Sequence, residues 1–239
     1  MSSASNGHPT LVFIHGSGDD AHIWDALIAC LPQYTAIALD LPGHGTRTDE
    51  PGPATMTVGD YAASVRNELA RRGVKSVCLV GHSLGSAIVL RLAVDAPEVV
   101  SRLVLVGAGA RLRVLPALLA EAASDPAAAK AKLVELAYAP THVADARAMI
   151  EQAPPPTPGI LYRDLAACDK FDMMAELAQI TQPVLILTGE EDRLTPPKYG
   201  SFLAEQISSA HLVLIPDAGH YAQIEAPVAC AEAISTWLG

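Results

Sequence analysis

Ser83 lies in the sequence Gly-His-Ser-Leu-Gly at 81–85, with the apolar run SVCLV at 76–80 before it and a helix-patterned stretch at 84–95 after it. A strand that turns at once into a helix ends at the carboxyl edge of its sheet, where open α/β sheets hold their ligands. Gly81 and Gly85 lack the Cβ atoms that would collide in so abrupt a turn, which leaves Ser83 at its tip on a strained backbone with Oγ projecting outward. The backbone N–H of Leu84 then opens a helix, a ready site for an anion. A serine hydroxyl is a poor nucleophile until a base within hydrogen-bond reach takes its proton. His220, in the loop IPDAGHYAQIEAP after the last apolar run, is the best candidate, because neutral imidazole can accept the Oγ proton and later deliver it to a leaving group. That imidazole needs a carboxylate to fix its tautomer, and LILTGEEDRLTP offers three, Glu190, Glu191 and Asp192. Residue type alone does not choose among them.

These residues need a frame that brings three distant loops to one edge. Short apolar runs recur at 10–14, 34–39, 76–80, 102–106, 183–188 and 211–215, rich in β-branched residues and without polar alternation, as strands buried on both faces read. Amphipathic helical patterns fill the spaces at 21–31, 58–72, 84–95, 198–207 and 227–238. The alternation predicts an α/β fold with a mostly parallel sheet of about six strands and helices on both faces. One connection breaks the rhythm. From 110 to 179 the chain is far longer than one crossover helix requires, and its Ala- and Leu-rich patterns at 114–124, 127–138, 143–151 and 161–178 predict an inserted helical cap. The breaker APPPTPG at 153–159 reads as a stiff linker between cap helices. The expected organisation is a core of 1–109 plus 180–239 carrying a cap at 110–179.

The stretches GHSLG, GEEDRLTP and GHYAQIEAP together resemble the α/β-hydrolase superfamily, whose chain order is nucleophile, acid, histidine. Matched residue by residue, the resemblance implies a catalytic triad of Ser83, Asp192 and His220. It also implies that the loop FIHGSGDDAHIW supplies the backbone N–H of Ser17 as a second oxyanion donor beside that of Leu84. DLPGHGTRTD at 40–49 is similar to the family's D-x-P-G-H-G-x-S turn, with Arg47 where serine is usual. Few residues precede the first core strand, which leaves no room for the antiparallel hairpin many relatives carry. The implied activity is a carboxylesterase-like serine hydrolase that cleaves a small, largely apolar ester through an acyl-enzyme. Lactone, thioester, perhydrolysis and C–C bond chemistry use the same apparatus, and a non-catalytic small-molecule receptor is the alternative from another class. Tyr138, Tyr162, Phe171, Met173 and Met174 in the insertion read as cap core or pocket lining and favour an apolar acyl group.

The bulk composition narrows the partners. Half the residues are apolar and 18% are charged, as in a globular chain on its hydrophobic side. With 16 Lys and Arg against 26 Asp and Glu, the net charge of −10 disfavours nucleic acid and anionic membrane surfaces. The first ten residues read as a short disordered tail rather than a signal peptide, and no apolar run is long enough to span a bilayer. Cys30, Cys78, Cys168 and Cys230 are scattered without metal-site spacing, Cys78 as a core residue, so no metal and no cofactor are expected. The glycine-rich loop at 15–18 lacks the lysine and hydroxyl of a phosphate cradle. His15 and His44 read as loop scaffold, His82 as an edge of the pocket and His22 as a residue near its entrance. Arg111 and Arg113 read as surface cations within reach of the site. A cytoplasmic monomer or homodimer acting on a small-molecule ester and water is the expectation.

Overall fold

The computed structural model of the chain describes residues 8–50, 52–152 and 157–239. Its strands β1 (Leu11–Ile14), β2 (Ala36–Leu39), β3 (Val77–His82), β4 (Val100–Val106), β5 (Val184–Gly189) and β6 (Ala210–Ile215) form a sheet in the order β2-β1-β3-β4-β5-β6. Every pairing in it is parallel.

In β1, β3 and β5 the unbroken apolar runs follow from burial on both sides, whereas the edge strands β2 and β6, with a neighbour on one side only, are partly exposed despite the same apolar pattern. Successive strand residues point to opposite faces, and here Val12, Ile14, Leu79 and Leu103 enter one core while Leu11, Phe13, Val80 and Val104 enter the other. Helices α2 (Val58–Arg71), α3 (Leu84–Asp95) and α8 (Pro197–Gln206) cover the first face. The short α1 (Asp25–Ala29) and α9 (Ala222–Glu225) and the terminal α10 (Pro227–Leu238) cover the second. A polar residue at any of these strand positions would leave an unpaired group in a core, at a cost of roughly 1–3 kcal/mol.

The winding reverses between β1 and β3. From β1 the chain crosses one way to β2, then passes back over β1 to β3 and continues to the far edge. Loops leaving the carboxyl ends of β1 and β3 therefore diverge around a crevice, the usual ligand position in such sheets.

Between β4 and β5 lie α4 (Pro116–Ser124), α5 (Pro126–Ala137), α6 (Val143–Gln152) and α7 (Ile160–Lys170). Proline at the first turn starts α4 and α5, and the Asp125 side chain caps α5 by accepting from the Ala128 N–H at 3.0 Å. The helical pattern at 161–178 stops early. Phe171 adopts an extended backbone, Asp172 pairs antiparallel with Arg111, and the Met173 N–H donates to the Ala110 carbonyl at 2.9 Å. A contact between the two ends of the β4–β5 connection thus overrides helix propensity over 171–176. Residues 153–156 of the proline-rich breaker lie outside the described residues, as do residues 1–7 of the N-terminal tail. No helix among the described residues is long and apolar enough to cross a membrane.

Candidate active site

Ser83 is the single residue between the end of β3 and the start of α3, with φ 53° and ψ −113°. A non-glycine residue in that region costs about 1–3 kcal/mol and persists only where its surroundings enforce it. Here the enforcement is tight packing. A Cβ at Gly81 would lie 2.4 Å from the Gly85 carbonyl oxygen, and one at Gly85 would lie 2.1 Å from that of Ile14 in β1. The Ser83 carbonyl accepts from the Ser86 hydroxyl at 2.6 Å, and its N–H donates to the Val106 carbonyl at 3.0 Å. The turn is held from both sides.

Asp192 leaves the carboxyl end of β5. One of its oxygens, Oδ1, accepts the Leu194 and Thr195 N–H groups at 2.9 and 2.8 Å. The other, Oδ2, accepts the Thr195 hydroxyl at 2.7 Å and His220 Nδ1–H at 2.9 Å. Glu190 and Glu191 form no contact with His220 and are exposed. Burial opposes a charge on His220, but the Asp192 carboxylate outweighs it and holds the imidazole pKa above its ordinary 6.5. Burial likewise resists charge on Asp192, and the attraction of His220 keeps its pKa low. Behind the ring, Gly107 has φ 57°, and a Cβ there would meet imidazole Cε1 and Nδ1 at 2.8 Å. Glu225, the glutamate of the GHYAQIEAP stretch, accepts the Ala139, Gly219 and Tyr221 N–H groups at 2.8, 3.1 and 3.1 Å and so shapes the loop that carries His220.

The loop after β1 is set by His15. Its Nε2 accepts the Leu41 N–H at 3.0 Å while Nδ1–H donates to the Gly16 carbonyl at 2.8 Å, a neutral tautomer. Burial, with His44 alongside, pushes its pKa down to about 4, so this tautomer persists. In the neighbouring turn Asp40 accepts the Ala21 N–H, the Thr46 N–H and the Thr46 hydroxyl at 2.8, 2.8 and 2.7 Å. Arg47, in the position where serine is usual, instead donates to the Asp40 carbonyl at 3.2 Å and pairs with Glu50.

Ser17, His82, Ser83, Thr195 and His220 line one cavity of about 350 Å³. Its remaining wall is mainly apolar, with Leu112, Val114, Leu118, Leu133 and Leu165 from the connection between β4 and β5. His82 donates from Nε2 to the His220 carbonyl at 3.1 Å, and burial pushes its pKa down to about 3. Leu84 is fully buried at the first position of α3. Arg113 borders this cavity and a second one of about 330 Å³ beside it, whereas Arg111 pairs with Asp172. His22 stands away from the cavity, exposed and bonded to Asp20. Tyr162 and Met174 are surface residues, while Phe171 and Met173 join the main core. Among the described residues no three His, Cys, Asp or Glu side chains could together hold a metal ion.

Sequence reasoning missed Thr195, although it stands inside the GEEDRLTP stretch. Its signal is the threonine three residues after an aspartate, a pattern in which side chain and backbone close a small turn. It also missed Asp19, Lys130 and Asp164, which carry no local motif because their partners are distant in sequence.

Comparison with known proteins gives the family. The sequence profile of the alpha/beta hydrolase family matches residues 11–233. The chain belongs to the α/β-hydrolase family. As a hydrolase it is 30% identical to the pimeloyl-[acyl-carrier protein] methyl ester esterase of Nitrosomonas europaea, over 98% of each chain. The solved structure of a thermophilic esterase matches 97% of this α/β-hydrolase and 90% of that chain, with a TM-score of 0.79 and 34% identity. An enzyme described as degrading N-acyl homoserine lactones matches 98% of this chain and 95% of its own at a TM-score of 0.84 and 25% identity.

Proposed function

We propose that this α/β-hydrolase is a serine esterase in which Ser83, His220 and Asp192 form the catalytic triad and the insertion at 110–179 acts as a cap over the site. The observation that carries the reading is the hydrogen-bonded Asp192–His220 pair on the wall of the cavity that also contains Ser83 on its strained turn. Ser83 Oγ attacks the ester carbonyl and gives its proton to His220 Nε2, while Asp192 holds Nδ1–H and stabilises the imidazolium. The Leu84 and Ser17 N–H groups receive the oxyanion, each worth about 2.7–4 kcal/mol of barrier. The intermediate collapses, His220 protonates the departing alcohol, and water activated by the same imidazole releases the acid. This chemistry needs no cofactor or metal.

The leucine-rich wall suits an acyl chain on the carbonyl carbon. That fits an alkyl ester of a fatty or dicarboxylic acid, in keeping with the relatives that act on a methyl ester of a carried pimeloyl group. An acyl lactone is the second reading, favoured by the likeness to the lactone-degrading enzyme, because the bond broken is again a carboxylic ester. The test is Ser83→Ala. Loss of p-nitrophenyl butyrate turnover and of fluorophosphonate labelling at unchanged circular dichroism is expected, and turnover at the wild-type rate would remove Ser83 from the mechanism. A panel of methyl esters and lactones of graded chain length then separates the two substrate classes.

A further inference from the structure

The loop that carries Ser17 is gripped from outside the core. Lys130, on α5, donates to the Gly18 carbonyl at 3.1 Å and to Asp19 Oδ1 at 2.5 Å. Asp164, on α7, accepts the Gly18 N–H at 2.9 Å and is wholly buried. One turn further along α7, Cys168 Sγ lies 3.5 Å from the Ser17 hydroxyl. Gly18 has φ 66°, and a Cβ there would meet Leu161 of α7 at 2.8 Å. Both polar groups of Gly18 are therefore fixed by side chains from two different helices of the insertion. From the core, His15 bonds to the Gly16 carbonyl, the Asp19 N–H makes a 3.4 Å turn contact to that same carbonyl, and the Tyr221 hydroxyl reaches the Asp19 side chain rather than Gly18.

The buried charges on this clamp are compensated. Asp164 also accepts from His44 Nε2 at 2.9 Å and from the Tyr61 hydroxyl, and Arg163 donates to that hydroxyl at 2.8 Å and to the Pro42 carbonyl. Asp19 is shared between Lys130 and the Tyr221 hydroxyl, which donates at 2.9 Å. Tyr221 follows His220 directly, so the same cluster ties the Ser17 loop to the histidine loop. Helix α5 joins them a second time: two turns after Lys130, the Ala137 carbonyl accepts the His220 N–H at 2.5 Å.

We propose that Lys130 and Asp164 are positioning residues for oxyanion stabilisation, clamping the Gly18 peptide so that the Ser17 N–H points correctly only while the insertion is seated on the core. The inference rests on the reading of Ser17 as an oxyanion donor. It makes the insertion part of the catalytic apparatus rather than only a cover: lifting α5 and α7 dismantles the anion site, so the enzyme turns over esters only when closed.

Lys130→Ala tests this, since the side chain is largely covered but sits on a helix that alanine favours. Lys130→Met keeps the aliphatic stem if alanine perturbs packing. The expected result is a fall in kcat of about ten- to a hundredfold, less than or comparable to the loss of one donor, with KM within about twofold. Affinity for a trifluoromethyl ketone that forms a tetrahedral adduct falls by the same factor as kcat/KM, and Lys130→Arg recovers most of both. Undiminished kcat and ketone affinity in Lys130→Ala and Lys130→Met, with or without a lower melting temperature, would overturn the clamp while leaving the triad intact. Wild-type protein that neither binds the ketone nor labels at Ser83 would instead overturn the underlying reading.

Discussion

His220 is held by two neighbours with opposite jobs, a carboxylate that favours its charged form and a glycine that gives its ring room. In the proposed mechanism the imidazole must start neutral, so activity should rise with pH through a value above 6.5, the ordinary value from which Asp192 raises it. Asp192→Asn removes that attraction. The acid limb of the kcat/KM profile should then move to lower pH while kcat falls by about four orders of magnitude, as when the orienting acid of such a triad is neutralised. Gly107→Ala tests the other neighbour, since its Cβ would press on the imidazole from 2.8 Å. A kcat loss of about a hundredfold is expected from the displaced ring, with about 1–2 kcal/mol of stability lost at the positive φ, read from urea titration. Of the proposed site, the serine, the histidine and the loop carrying the acid could be picked out because glycines and turn residues flag strand ends locally. The choice of Asp192 among three acids needed the family resemblance, and the backbone donors to its Oδ1 give the physical reason: the loop closes on that carboxylate and leaves Glu190 and Glu191 in solvent.

At the scale of elements, β3 and α3 come so close to β1 that no side chain fits between them at position 85. Gly85→Ala should therefore cost about 1–3 kcal/mol or more, since the atom it meets is backbone and cannot rotate away, and the melting midpoint would register it. The six strands were legible to within a few residues because each carries a short apolar run, buried throughout in β1, β3 and β5 and only partly covered in the edge strands β2 and β6. The helical pattern at 161–178 was less so. Its leucines, alanines and methionines favour a helix at every step, yet the Arg111–Asp172 pairing turns the chain after Lys170. Propensity is local and the partner of Asp172 is not, so a periodicity argument has no access to that stop. The same limit hid Lys130 and Asp164, whose significance lies in a loop more than a hundred positions earlier.

Over the whole molecule, the four cysteines are free thiols, and Cys30 is the only one not fully buried. Burial pushes the pKa values of Cys78, Cys168 and Cys230 up to about 12, which keeps them as unreactive thiols near neutral pH. Native protein treated with iodoacetamide at pH 8 should therefore gain at most one adduct by mass spectrometry, at Cys30, and all four after unfolding; activity should be indifferent to reductant. The fastening of the β4–β5 connection at its base reaches further. Because Arg111 and Ala110 on the segment leaving β4 are bonded to Asp172 and Met173 on the segment that leads back to β5, the intervening helices are a closed excursion from the sheet. Natural variation could therefore exchange that excursion wholesale to reshape what the enzyme accepts, provided each replacement brings its own pair of groups to hold the glycine at position 18.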